Sequence, residues 1–337
     1  MAHTLESIAE LAGVSRGTVS RVVNGQPGVK PNVRERVLAV IERTGYVPNP
    51  QARSLAGGRT GNIGVVVFGD KPDFLKHHIF FEALQGIQEQ TASNDCDLLL
   101  YANRKEADAE YWKRIATKRK TDGLIIMGER IQPEYLHYYR QRGIPYVLIG
   151  KRVFGSLPLA CVASDYRGGA YRATKHLLER GRRRIAYIQG LPDMHHENER
   201  FAGYCEALRE AGLDMDPSLI VAGRADREEA VREMRLLLER QASFDAVFAA
   251  NDLMALGAMD VLQESGRSVP EDVAVAGYDD IAQSRHASPP LTTVRQEKEK
   301  LGREAAALLF EMLRGGLPAD ASKDVVIDNE LIVRAST

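Results

Sequence analysis

At Asn62 the hydrophobic pattern of this 337-residue chain changes period, and that change limits what the chain can fold into. From there onward, short β-branched runs alternate with amphipathic stretches. Ile63–Phe68, Asp97–Tyr101, Gly123–Met127, Tyr146–Ile149, Ile185–Gln189, Ala246–Ala250 and Val273–Ala276 read as strands. Phe80–Ser93, Arg167–Arg180, Arg200–Ala211, Arg227–Arg240 and Leu253–Ser265 read as helices. Such alternation implies parallel sheets covered on both faces. About 275 residues of it exceed one comfortable open sheet, so two lobes are expected. Ligands of such folds bind beyond the carboxyl ends of the strands, which between two lobes means a cleft.

Before Asn62 the period is helical. Leu5, Ile8, Ala9 and Ala12 share one helix face, with Thr4 as N-cap and Gly13 as stop. Ser15 can cap a second helix bearing Val19, Val22 and Val23, with Gly25 just beyond it. Pro31 suits the first turn of a third, carried by Val33, Val37, Val40 and Ile41 and closed by Gly45. Two helices across a tight turn, braced by a third, are the parts of a helix-turn-helix. Residues 1–60 hold eight Lys and Arg against four Glu, a net of +4; the whole chain is −1, so the remainder carries −5. A basic end on an acidic body fits a module that meets phosphate. A small all-α core with a solvated basic face satisfies the same observations.

Between these regions lies NPQARSLAGGRT. Asn49 can cap and Pro50 can open a helix of about two turns, which Gly57-Gly58 end. So short a helix is marginal alone in water. It reads either as a flexible linker or as a segment that orders only on DNA. Leu55, apolar and without a role in a linker, favours the second reading.

At 44% apolar and 27% charged residues the composition is that of a soluble globular protein. The three cysteines, Cys96, Cys161 and Cys205, lack paired spacing, so neither a disulfide framework nor a zinc site is expected. MAHTLESIAE has no secretory signature and no apolar run approaches a membrane span, so a cytoplasmic protein with no membrane contact is expected. No GxxxxGK[ST] or HExxH motif occurs. His195-His196 with Glu197 resembles a metal cluster only superficially, and the adjacent Asp279-Asp280 carboxylates would diverge on a strand. No metal, no cofactor and no catalytic residue is expected.

The segments AGVSRGTVSRVVNG and RERVLAVIERTGYVPNPQARSLAGGRTGNIGVVV resemble the N-terminus of the lactose/galactose repressor family of transcription regulators. The match is nearly gapless through Val67, and the order of motifs continues to Val333. The resemblance implies an all-α helix-turn-helix domain (1–48), a hinge helix and linker (49–60), and a two-lobed periplasmic-binding-protein-like effector and dimerisation domain (61–337) with parallel α/β sheets. The first lobe would span 61–161 and 294–323, the second 164–290 and 324–337, with crossovers near Val162–Ser164, Pro289–Thr293 and Asp324.

By the same resemblance the helix Ser15–Asn24 enters the major groove. Ser15, Thr18, Ser20 and Asn24 would bond phosphates, and Arg16 and Arg21 would read bases. The hinge helix would lie in the minor groove with Leu55 wedged between base pairs and Ala52 keeping the two hinge helices of a dimer close. Thr4 and Asn49 complete the expected DNA-facing set. Gly17 departs from the longer polar residue frequent in the family, so one base contact is expected to be missing. Lys30 and Val33 replace the usual Ser and Thr, which removes a cap and offers a phosphate contact from Lys30. No leucine-heptad extension follows LIVRAST, so a homodimer on a near-palindromic operator is expected.

Candidate effector residues sit at strand ends. Arg200 precedes Phe201-Ala202-Gly203-Tyr204, Asn251-Asp252 follows FDAVFAA, and Asp279-Asp280 follows AVAGY. Guanidinium, amide and carboxylate together match vicinal hydroxyls, although Asp or Asn at such a place also serves as a helix cap. Arg200, Asn251 and Asp279 match the family's ligand-contacting positions; Asp165, after the first crossover, joins them. Where relatives often carry Asp after Tyr146–Ile149, this chain has Gly150, Lys151 and Arg152, and His77-His78 stand where Asn-Pro is common. Lys151 and Arg152 would favour an acidic or phosphorylated ligand or simply face solvent. The expected function is a repressor of carbohydrate genes, released from operator DNA by a small sugar. A purine or phosphorylated corepressor is the alternative, and a sugar-binding or sugar-active protein with an incidental N-terminal domain is a further one.

Overall fold

The computed structural model describes residues 3–46, 59–68, 78–102, 109–128 and 131–337. The expectations for Asn49, Ala52, Leu55 and His77 fall outside these residues. The chain forms two compact units, one of residues up to Asn62 with Lys118–Asp122, the other of the remainder.

The first unit contains α1 (Leu5–Ala12), α2 (Arg16–Val23) and α3 (Pro31–Thr44). Thr4 and Ser7 form a reciprocal capping box at the start of α1, and Gly13 leaves it in the left-handed conformation. Ser15 Oγ accepts from the Thr18 amide at 3.2 Å and starts α2 after a turn of three residues. Lys30 starts α3 with no side-chain cap, the loss expected from its sequence. Ile8, Ala9, Ala12, Val19, Val22, Val37 and Val40 close the core between the three helices. A fully buried residue such as Ile8 contributes ~1.5–3 kcal/mol. The Asp122 carboxylate accepts from the Thr60 amide at 2.6 Å, the Thr60 hydroxyl at 2.9 Å and the Gly61 amide at 3.0 Å.

The second unit runs β1 (Asn62–Phe68), α4 (His78–Ser93), β2 (Asp97–Ala102), α5 (Ala109–Lys118), β3 (Gly123–Gly128), α6 (Pro133–Gln141), β4 (Tyr146–Ile149) and β5 (Ala160–Ser164). It continues through α7 (Tyr166–Glu179), β6 (Ile185–Gln189), α8 (His195–Glu210), β7 (Ile220–Ala222), α9 (Arg227–Glu239), β8 (Ala246–Ala249), α10 (Asp252–Glu264), β9 (Ala274–Asp279) and α11 (Ala282–His286). The last elements are β10 (Thr292–Arg295), α12 (Lys298–Leu313), β11 (Lys323–Ile327) and β12 (Glu330–Ile332). Two six-stranded sheets result, ordered β11-β5-β4-β3-β1-β2 and β12-β10-β9-β8-β6-β7. Only β12, antiparallel to β10, breaks the parallel pairing among the described registers. In β1, Ile63, Val65 and Val67 pack with α4 and α12, while Val66 and Phe68 pack on the opposite side against Trp112 and Tyr135. Both faces of the sheet are covered, as continuous β-branched runs demand.

Each change of lobe falls at a strand end: after Ser164, after Arg295 and after Ile327. The last two come later than expected, because Val294–Arg295 finish a strand of the second sheet and Asp324–Ile327 one of the first. A chain leaves a sheet where the ladder stops, so the true boundary is where hydrogen bonding ends. The first and third crossovers are tied together: the Asp165 amide donates to Ile327 O at 2.8 Å, and Asn329 Nδ2 to Asp165 O at 2.9 Å.

Candidate effector cleft and DNA-reading face

The two sheets turn their carboxyl ends toward one cavity. From the first lobe come Phe80, Met127, Gly128, Ile149, Gly150, Arg152 and Leu301. Facing them are Tyr166, His196, Arg200, Ala225, Asn251, Asp279 and Gln296. One wall is mainly apolar, the other polar and aromatic.

Arg200, Asn251 and Asp279 all meet there, and each is nearly buried. Arg200 arrives from inside α8 and not from a strand end, because the helix begins at His195, five residues before its expected start. Its guanidinium donates to Ala250 O at 2.8 Å and lies 3.7 Å from Asp279 Oδ1. The Tyr278 ring centroid is 4.0 Å beneath it and that of Tyr166 is 5.5 Å away. Burial opposes its charge, but Asp279, Tyr278 and Glu197 outweigh burial and shift its pKa upward. Arg200 Nε has no protein partner. Asp279 Oδ1 also accepts from Gln296 Nε2 at 2.6 Å. Asn251 caps α10, its Oδ1 accepting from the Met254 amide at 2.8 Å, so cap and cavity wall are one residue.

Two expected features resolve differently. Asp165 does not line the cavity. Its Oδ1 caps α7 through the Gly168 amide at 2.8 Å, and its Oδ2 lies 3.4 Å from Arg172. Asp165 serves as a cap without lining the cavity, where Asn251 does both. Lys151 and Arg152 separate: Lys151 pairs with Asp324 at 2.8 Å, while Arg152 lines the cleft. Asp279 and Asp280 diverge as expected. The Asp280 carboxylate is held by Arg334 and, at 2.8 Å, by Arg295, which outweigh burial and keep its pKa below the usual carboxylate value.

Sequence reading missed Gln296 and Tyr166. Gln296 follows TTVR, too short and polar a run to declare itself a strand. Tyr166 sits beside a residue chosen for its charge. Among the described residues no group of three or more His, Cys, Asp and Glu could hold a metal, and no helix is long and apolar enough to cross a membrane.

Beneath the cleft, Asp252 is fully buried and accepts from the Ile281 amide at 2.9 Å, Ser284 Oγ at 2.7 Å and Thr293 Oγ1. Burial, and secondarily Asp279, push its pKa up to about 6 from 3.8. A carboxyl whose folded pKa is raised contributes stability below its unfolded pKa and loses it as pH rises through the folded one. The stability of the chain relative to Asp252→Asn is therefore expected to be greater at pH 4.5 than at 7.5, read from urea midpoints. Taking the difference removes the opposing effects of His176 and His195, whose pKa values burial lowers. A flat difference across that range would show that Asp252 titrates as it does unfolded.

On the helical unit, Arg16 and Arg21 lie exposed on α2, and Ser15, Thr18, Ser20 and Asn24 share that helix or its caps. Arg16 is held 2.8 Å from Glu6, both side chains largely in water. Exposed pairs of this kind contribute ~0–1 kcal/mol, so the pair holds Arg16 only weakly. Asn24 Nδ2 donates to Ser20 Oγ at 3.3 Å, and Thr4 is committed to its capping box.

A three-helix unit with an exposed arginine-bearing second helix, joined to a two-lobed α/β unit with a polar cleft, defines a ligand-responsive DNA-binding regulator. The sequence profile of bacterial regulatory proteins of the lacI family matches residues 4–49, and that of the periplasmic binding protein-like domain residues 174–337. Over 336 residues, 99% of this chain and 98% of the relative, the chain is 38% identical to the HTH-type transcriptional regulator CelR of Thermobifida fusca. It is 33% identical to the transcriptional repressor CytR of Escherichia coli K12 over 339 residues, covering 100% and 96% of the two. A CelR–cellobiose complex superposes with a TM-score of 0.75 at 37% identity, covering 99% of this chain and all of the other. The lac repressor dimer bound to operator and the anti-inducer ONPF gives 0.83 at 26% identity, covering 100% and 99%. The chain belongs to the lacI family: it is a DNA-binding transcription regulator and not an enzyme.

Proposed function

We propose that the chain is a cytoplasmic, dimeric repressor of carbohydrate genes whose effector is a small sugar bound in the cleft. The observation that carries this reading is the meeting of Arg200, Asn251 and Asp279 at one wall, with Gln296 beside them. Arg200 offers a guanidinium, Asp279 a carboxylate and Asn251 an amide, the set that vicinal hydroxyls need. Tyr166 and Tyr278 supply aromatic surface next to it. The cellobiose complex of CelR adds support from a relative. Asp165 is withdrawn from the effector set on geometry.

The domain scheme fits this role: residues 1–48 read the operator, 49–60 link, and the rest bind effector and dimerise. Binding that prefers one arrangement of the lobes shifts the population of the DNA-competent state by its differential affinity, and by reciprocity DNA shifts sugar affinity. A thermal-shift panel of sugars, sugar phosphates and nucleobases tests the reading, since a ligand at ~100 times its Kd adds ~2.7 kcal/mol. Sugars are expected to raise the melting temperature and release a near-palindromic operator. A shift with purines alone would overturn the sugar reading.

For the reading helix, Arg16→Ala is expected to lose ~1–3 kcal/mol on the cognate operator and relax base preference at one position. Equal loss on random DNA, measured by fluorescence anisotropy, would reduce Arg16 to a phosphate contact.

A further inference from the structure

The cleft contains a cation that nothing among the described residues balances. After β4, Gly150 takes φ 91°, where L side chains are rare, and a Cβ there would come within 3.0 Å of a guanidinium nitrogen of Arg152. A side chain at this point would thus crowd the guanidinium of Arg152. Arg152 donates to Gly128 O at 2.6 Å and Lys151 O at 2.8 Å, both backbone carbonyls without formal charge. Its Nε is buried and without a partner. The neighbouring Lys151 is neutralised by Asp324 at 2.8 Å, and Arg200 is balanced by Asp279 at 3.7 Å. Among the described lining residues, the Arg, Lys, Asp and Glu side chains are Arg152, Arg200 and Asp279, whose formal charges sum to one positive charge. That charge sits on the lobe opposite the hydroxyl-binding set.

We propose that Arg152 determines specificity by binding an anionic substituent, so that the effector is a sugar carrying a phosphate or a carboxylate. This rests on the sugar reading above. A guanidinium matches both oxyanions with a fork of donors, and a partly desolvated cleft concentrates its field. Fixed by two carbonyls, the side chain is already oriented and loses little freedom on binding. Its ligand would touch both lobes, hydroxyls on the Arg200–Asp279 wall and anion on Arg152.

Calorimetry on the full chain tests this with cellobiose and glucose as neutral probes and glucose 6-phosphate, glucuronate and cellobionate as acidic ones. At least one acidic sugar is expected to bind ~10-fold or more tightly than its neutral parent, weakening with added salt. The phosphate and carboxylate arms tell which oxyanion fits. Arg152→Gln is expected to erase the preference while Lys151→Gln, which removes the same charge outside the cleft, keeps it. Neutral parents binding the wild-type chain as tightly as every acidic derivative would overturn the proposal and leave the sugar reading standing. So would a preference that survives in Arg152→Gln. Absence of binding by any sugar, neutral or acidic, would overturn both. Should Arg152→Gln fail to fold, the comparison of ligands on the wild-type chain decides alone.

Discussion

Asp279→Asn is expected to weaken effector binding by about 30-fold or more, while leaving operator binding without effector unchanged, since hydrogen bonds to charged groups contribute ~1.5–3 kcal/mol. Asparagine keeps an oxygen for Gln296 Nε2 and nearly the same shape, so the loop end retains its local bond. What it removes is the charge opposite Arg200, which is only 6% exposed. Arg200 would then face the cavity as an unbalanced cation, and an acceptor of sugar hydroxyls would be gone. Asp279→Ala goes further and is expected to cost ~3–5 kcal/mol of stability, the penalty for stranding one member of a buried pair. Calorimetry gives the affinity loss, and operator anisotropy with and without sugar gives the response. A full sugar response in Asp279→Asn would remove Asp279 from the effector site.

A second large effect is expected at the crossing of α4 and α12. A Cβ at Gly302 would sit 1.9 Å from Ala83 O, and one at Gly86 would sit 2.0 Å from Glu299 O. Both obstacles are backbone, so no rotamer change relieves them. Gly302→Val must push the helices apart, opening voids around Leu301, Ala305 and Ala306, which are 0–2% exposed. The cost is expected at ~3 kcal/mol or above, the upper end for overpacked cores, and visible as a lowered urea midpoint. Gly316→Ala, outside this crossing, serves as the mild comparison: its Cβ would meet Glu311 at 3.3 Å. Equal losses in the two variants would deny the crossing its importance.

Much of this fold was legible because its strands are continuous β-branched runs such as Ile63–Phe68, buried on both faces. The strands not read from the sequence are β5, β7, β10, β11 and β12, each of five residues or fewer; in β10, TTVR, Thr292 and Thr293 spend their hydroxyls on Arg334 O and Asp252. Periodicity records burial of apolar groups and is blind to a buried threonine whose hydroxyl is satisfied. The same blindness set the crossovers inside β10 and β11. At the site, Arg200, Asn251 and Asp279 are picked out as polar residues after apolar runs that also match the family's ligand-contacting positions, and all three line the cleft. Asp165 shows the limit of that signal. A capping carboxylate and a ligand-binding one look alike until the first amide of the helix is in view. Gln296 required knowing that the preceding strand ends one residue earlier, and telling Arg152 from Lys151 required seeing Lys151 paired with Asp324.

The end of β9 carries a feature with wider reach. Asp279 and Asp280 have φ of 119° and 50°, both in territory non-glycine residues avoid. Such positions cost ~1–3 kcal/mol each and persist only where neighbours enforce them. Here the enforcers lie on β10 and beyond β12: Arg295, which also reaches Glu330, and Arg334. On the effector reading proposed above, sensor and bearing are consecutive residues, one peptide plane apart. A rotation of that plane would move the cleft-lining carboxylate and the one bound by Arg295 and Arg334 in the same act. No relay of intermediate side chains is required, and the lining of the cleft can drift to suit a new sugar without retuning the joint that reports it.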